Sequence, residues 1–149
     1  MPLADEQTAV PLDTMSTLKL EIVTPDAKAY SEDVEMVTLP GIEGEMGIYP
    51  QHVPLMTQVV CGEVIARKEG RDYSLAIGEG FAEITGDHVS ILTDMAIRAE
   101  NIDEAKAEEA RKRAEARLKE SLNAEQAAVV EAALAHSLAQ LQVKRRRRV

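Results

Sequence analysis

The chain has 149 residues, with 26 Asp and Glu against 17 Lys and Arg, a formal net charge of −9, 45% hydrophobic residues, only 3% aromatic residues and no Trp. So acidic a composition argues against non-specific nucleic-acid binding, and the core has to be aliphatic. One cysteine, Cys61, excludes an internal disulfide framework and a CxxC metal site, and no stretch approaches the roughly 20 apolar residues of a helical membrane span.

The first 16 residues carry Asp5, Glu6 and Asp13 and no Lys or Arg, opposite in charge to a signal or transit peptide, and read as a disordered acidic leader. Residues 17–98 read as antiparallel β. Leu18, Leu20 and Ile22 alternate with Lys19, Glu21 and Val23, and a second run, Val34–Leu39, ends at Pro40-Gly41. Shorter runs follow at Thr57–Val60, Glu63–Lys68, Tyr73–Ile77, Phe81–Thr85 and His88–Thr93, separated by glycine-bearing turns. Short strands at such spacing predict a sandwich or small barrel, and no helical stretch between them is long enough to cross over between parallel neighbours.

All eight Gly and all six Pro lie at or before Gly86, so the 63 residues that follow can run as long helices. Charge changes too: residues 1–98 have a net charge of −11 and residues 99–149 a net charge of +2. Two helices are predicted, about 102–120 and 124–143, with Asn101/Glu104 and Asn123/Gln126 as capping boxes. Glu108/Lys112, Glu109/Arg113 and Glu115/Lys119 are spaced for ion pairs along the first helix. Only Ser121, Leu122 and Asn123 join the helices, which makes them an antiparallel hairpin. Its apolar stripe is thin: Ala107, Ala110, Ala114 and Leu118 on the first helix, Ala127, Val130, Leu134, Leu138 and Leu141 on the second. Alanines bury little area, so each helix forms locally while the pair is weakly held, a plausible two-state element. Residues 144–149 contain five consecutive bases, expected to repel one another and fray as a basic tail.

A search for chemistry finds no catalytic residue and no metal site. His52, His88 and His136 have no partners at zinc spacing, and no GxSxG, P-loop or HExxH motif occurs. One segment stands apart. Pro40-Gly41-Ile42-Glu43-Gly44-Glu45-Met46-Gly47-Ile48-Tyr49-Pro50-Gln51-His52-Val53-Pro54-Leu55 packs three Gly and three Pro into sixteen residues, a shaped loop of the kind that carries contacts.

Together with Leu20–Pro25, Met56-Thr57, Gly80–Ile84, Val89–Ala96, Ile102–Ala107 and Glu109–Glu115, that segment resembles the epsilon subunits of F-type ATP synthases over about residues 17–120. The resemblance implies an α+β chain: an N-terminal antiparallel β-sandwich of about ten strands, then a C-terminal antiparallel two-helix hairpin. It implies a non-catalytic subunit of the rotor's central stalk. Such a subunit binds gamma and rests on the c ring, coupling proton flow to ATP synthesis at the cytoplasmic face of a bacterial inner membrane, which it meets only through the complex. Gly44, Glu45, Tyr49 and His52 are then the expected contacts with gamma and the c ring. The hairpin is expected to open along gamma, reaching about 60 Å if both helices extend. Arg111, Lys112, Arg113 and Arg117 would then meet the alpha/beta hexamer and inhibit ATP hydrolysis. Some relatives bind ATP through Ile/Leu-Asp-x-x-Arg-Ala; here the positions are Ile102, Asp103, Lys106 and Ala107, and Lys lacks the planar fork of Arg. No other cofactor is implied. Gln51 stands where the family often has Gly. The reading from a different class is a free-standing acidic β-sandwich adaptor or nucleotide-sensing regulatory protein.

Overall fold

A computed structural model describes residues 17–147; the expected leader and the last two residues of the expected tail lie outside them. The described residues form ten strands: β1 (Leu18–Val23), β2 (Lys28–Val34), β3 (Met36–Gly41), β4 (Gly44–Ile48), β5 (Leu55–Val59), β6 (Gly62–Lys68), β7 (Arg71–Ile77), β8 (Gly80–Ile84), β9 (His88–Thr93) and β10 (Ala96–Arg98). A 3-10 turn, Ala99–Asn101, leads into helices α1 (Glu104–Leu118) and α2 (Ala124–Arg147).

The strands hydrogen-bond in the order β10-β7-β6-β3-β5-β8-β9-β1-β2, with β4 paired to β3 beside that path. Between β3 and β5 the sheet narrows to one residue pair, Gly41 with Val59, and folds over on itself. A Cβ on Gly41 would stand 2.8 Å from the Gly44 carbonyl oxygen, so the close approach there calls for glycine. The antiparallel sandwich has one exception: β1 lies parallel to β9, from Lys19 opposite His88 to Val23 opposite Leu92. The strands between them bring the chain back, so no crossover helix is needed. Alternation along the strands sends Leu20, Ile22, Val37, Leu39, Val64, Leu75, Ile84 and Ile91 inward, all essentially inaccessible to water.

Three strands escape the sequence reading. β2 carries Lys28, Glu32 and Asp33 as an outer strand, β10 has three residues, and β4 lies inside the Gly/Pro block. That block, expected as a shaped loop, is therefore a β3–β4 hairpin followed by a loop that leads into β5. The Glu69-Gly70 turn has both residues at positive φ, 53° and 78°, which suits the twist of the β6–β7 hairpin.

The helices differ from expectation at their ends. Asn123 and Gln126 do cap α2 reciprocally, Gln126 N–H donating to Asn123 Oδ1 at 2.8 Å and Asn123 N–H to Gln126 Oε1 at 3.1 Å. At α1 the cap is Asp103, which accepts from the Lys106 N–H at 3.1 Å, and Asn101 belongs to the preceding 3-10 turn. α2 continues through Arg147, so Lys144, Arg145, Arg146 and Arg147 extend the helix rather than fraying from it. Among the described residues no helix is long and apolar enough to cross a membrane.

The hairpin seats on the outer face of β6 and β7. Ser74, Leu75, Ala76 and Ile77 are all buried, because β7 is covered by the sandwich core on one side and by α2 on the other. Ala76, Ile102, Ala139 and Val143 form the seat, flanked by Met95, Ile97 and Ala99. The expected stripe is off by part of a turn: Leu141 is buried, but Leu138 is 48% exposed and Ala139 and Val143 take the inward positions.

Candidate functional site

The sequence-predicted contact residues fall into two regions. In the first, Gly41 pairs with Gly44 across the tip of the β3–β4 hairpin, and Gly44 adopts a φ of 133°, a conformation open to glycine. The Ile42 N–H donates to the Gln58 carbonyl at 3.0 Å and the Val60 N–H to the Pro40 carbonyl at 2.9 Å, which fastens the tip along β5. Glu45 is exposed and lines a shallow groove with Ile42, Glu43, Met46, Leu55 and Thr57.

His52 is not part of that groove. It lies in the loop after β4, half-buried, its Nδ1 donating to the Val53 carbonyl at 2.7 Å. Next to it Gln51 takes a φ of 72°, and its N–H donates to the Gly86 carbonyl at 2.6 Å, tying the loop to the β8–β9 turn. The left-handed backbone explains why glycine suits this position; here glutamine adopts the same conformation at a steric cost. Tyr49 is exposed at the start of the loop.

Sequence reasoning missed the apolar content of this face. Ile42, Tyr49, Val53, Leu55 and Met56 are all exposed, Val53 at 71% and Met56 at 66%. These are five large exposed apolar side chains within fifteen residues, and two of them, Ile42 and Leu55, line the groove with Glu43 and Glu45, a surface suited to another protein. The signal was present as apolar residues between Gly and Pro, where no strand core could take them all. A second exposed pair, Phe81 and Leu92, sits face to face across β8 and β9, and nothing in the periodicity marked it.

The second region is the hairpin. Arg111 is held on α1 by Glu108 and Glu115, and Arg117 by Glu120 at 3.3 Å. Lys112 and Arg113 are exposed. None of the three expected ion pairs of α1 is among these, because Glu108 faces α2, where Arg145 also reaches it at 2.9 Å. The Arg111 guanidinium, and after it Arg145, hold the Glu108 carboxyl below the usual carboxylate range. The four cations are thus not one cluster: Arg111 is occupied on its own helix, Arg117 by Glu120 just past the helix end, and Lys112 and Arg113 are exposed.

Three of the positions 102, 103, 106 and 107 have structural work. Ile102 is buried in the seat, Asp103 caps α1, and Ala107 is buried on the α1 face that meets α2. Lys106 is exposed.

Polar contacts also tie α2 to the sandwich. His136 Nε2 stands 3.2 Å from Asp94 Oδ1, over Gly78. A Cβ on Gly78 would fall 1.9 Å from that carboxylate and 2.8 Å from the imidazole, so glycine makes room for the pair. Cys61 is half-buried, and burial pushes its thiol pKa up, leaving it protonated and unreactive.

Comparison with known proteins accounts for both regions at once. The family model for the β-sandwich domain of the ATP synthase delta/epsilon chain matches residues 17–99, and the model for that chain's long α-helix domain matches residues 100–145. The ATP synthase epsilon chain of Dehalococcoides mccartyi (strain CBDB1) is 46% identical over 135 residues, covering 90% of this chain and 96% of its own length. That of Bacillus subtilis (strain 168) is 43% identical over 104 residues, covering 70% of this chain and 79% of its own. A chain in the cryo-EM structure of the Euglena gracilis mitochondrial ATP synthase (OSCP/F1/c-ring) superposes with a TM-score of 0.71 at 27% identity, covering 85% of this chain and 80% of that one.

Proposed function

This chain belongs to the ATP synthase delta/epsilon family, and on that premise we propose that it is a rotor subunit of the central stalk, joining gamma to the c ring so that proton flow is coupled to ATP synthesis. As a family member it is an accessory, non-catalytic subunit of a membrane-associated complex. Its place in the cell is the cytoplasmic face of a bacterial inner membrane, reached through the complex.

The observation that carries the reading is the set of exposed apolar side chains in residues 42–56, a segment held rigid by backbone hydrogen bonds to β5 and to the β8–β9 turn. A stalk subunit has to transmit torque, and a stiff, partly apolar corner does so with little loss to side-chain ordering. Gly44, Glu45, Tyr49 and His52 belong to this corner and contact gamma and the polar loops of the c ring. Acidic groups there complement basic loops and set the docking register.

The hairpin adds regulation. It leaves its seat, extends along gamma, and presents Lys112 and Arg113 to acidic segments of the catalytic hexamer. Arg111 and Arg117 join them by exchanging their glutamates for the new partners. The small apolar seat supports this, since a modest gap between two forms lets the state of the enzyme bias them.

Reconstitution tests both parts. A catalytic sector lacking this subunit is supplied with the full chain or with a chain ending at Arg98. Both should bind gamma, and only the full chain should lower ATP hydrolysis, by severalfold. Failure of either chain to bind gamma would remove the coupling role. Equal inhibition by both would remove the hairpin's role and leave coupling intact.

A further inference from the structure

We propose that the basic end of α2 is an electrostatic clasp that holds the hairpin on the sandwich, so that the docked form loosens as ionic strength rises. Three successive residues reach three different elements. Lys144 Nζ donates to the Ala99 carbonyl in the 3-10 turn at 3.2 Å. Arg145 bridges Glu104 and Glu108 on α1, with Nε and Nη2 each 2.9 Å from a carboxylate oxygen. Arg146 Nη2 lies 2.9 Å from Glu63 Oε1 on β6.

Neighbouring residues on a helix project about 100° apart. Three in a row can all find partners only where the helix end lies in a cleft between elements. Glu63 pairs with Ala76 across β6 and β7, so its carboxylate stands at the edge of the apolar seat, only 11% exposed. Arg146, itself half exposed, therefore meets a shielded carboxylate at the edge of the seat. The charge pattern has the right sense. A run of like charges from Lys144 onward repels itself; Glu63 on β6 relieves that repulsion while α2 lies on the sandwich, and Glu104 and Glu108 relieve it while α2 lies along α1. Cations at a helix C-terminus also complement the helix dipole.

The apolar seat beneath is small, with two alanines among Ala76, Ile102, Ala139 and Val143, so the ionic contacts are a substantial part of what holds α2 down. Exposed pairs are screened over about 8–10 Å at physiological salt, and the shielded Arg146–Glu63 pair less so. The clasp rests on the proposed function only in that an open form exists; its readout is a distance, not hydrolysis.

The test uses the full chain in a Cys61→Ser background, with spin labels on Asp87→Cys and Glu131→Cys, and distance distributions recorded from about 50 mM to about 500 mM sodium chloride. The parent should show one dominant distance at low salt and a growing second population at high salt. Arg145→Ala with Arg146→Ala should raise the ratio of open to docked form on the order of three- to tenfold at low salt and flatten the salt response. Arg145→Lys should recover only part of the docking, because an ammonium cannot fork onto two carboxylates. A double variant whose distances match the parent at every salt concentration would overturn the clasp. An opened variant that inhibits hydrolysis no differently would leave the clasp standing and count against the hairpin as inhibitor.

Discussion

Inside the sandwich, seventeen buried side chains drawn from nine strands pack as one cluster, nearly all of them Ile, Leu or Val. Under the hairpin, the cluster among the described residues has four members, two of them alanine, and around it the contacts are polar: His136 to Asp94 and Arg146 to Glu63 on the sandwich, with Arg145 reaching Glu104 and Glu108 of α1. Burial of branched aliphatic side chains over many strands produces a unit that unfolds all at once or not at all. A few small side chains and a ring of ion pairs produce a contact that can release while everything else stays folded. The molecule thus separates a rigid body from a releasable one by choice of side chain, without a flexible linker between them.

The contrast can be broken most forcefully in the core. Leu39→Ala, deep in β3, should cost about 3–4 kcal/mol and lower the melting temperature of the whole domain. An unchanged melt would mean that the cluster is not one cooperative unit. Val143→Ala, at the fully buried centre of the seat, should cost about 2 kcal/mol. This loss should appear as hairpin opening by distance measurement while the sandwich melts as before; a drop in the sandwich's melting temperature of the size seen for Leu39→Ala would show that the two regions fold as one.

Acid provides the gentlest separation. Glu108 is held below its ordinary pKa first by Arg111 on its own helix and then by Arg145 of α2, so the Arg145 share, which joins α2 to α1, is present above the unfolded value and lost as pH falls through the lowered one. The pairing of α2 with α1 should weaken below about pH 4.3. Glu21, held down by Lys28, and Glu32, held down by Lys68, move the sandwich in the same direction, but its aliphatic core does not titrate. Hairpin distances should therefore lengthen at a higher pH than the one at which the sandwich loses its circular dichroism. Simultaneous loss would refute the ranking.

Much of this architecture could be read before any coordinates. Confinement of Gly and Pro to the first 86 residues separated strands from helices, because turns need those residues and helix interiors reject them. Period-two alternation in Leu18–Val23 and short runs bounded by turn residues located seven strands. β2 was hidden because an outer strand can carry charge on both faces, and β4 because its glycines imitate a loop. The candidate site was half legible. Gly/Pro density marked the 40–55 segment, but not that Glu45 and His52 belong to different parts of it, nor that its apolar side chains face water.

Local interactions explain what sequence alone determined: the two-part division, the strand periodicity, the Asn123–Gln126 cap and the low apolar content of the hairpin all depend on residues within a few positions of one another. The rotation of α2 that buries Val143 and exposes Leu138, the parallel β1–β9 pairing, and the partners of Lys144, Arg145 and Arg146 were decided by tertiary structure. These contacts join residues far apart in the chain. For a helix with apolar residues on several faces, only the shape and charge of the surface it meets select which face turns inward.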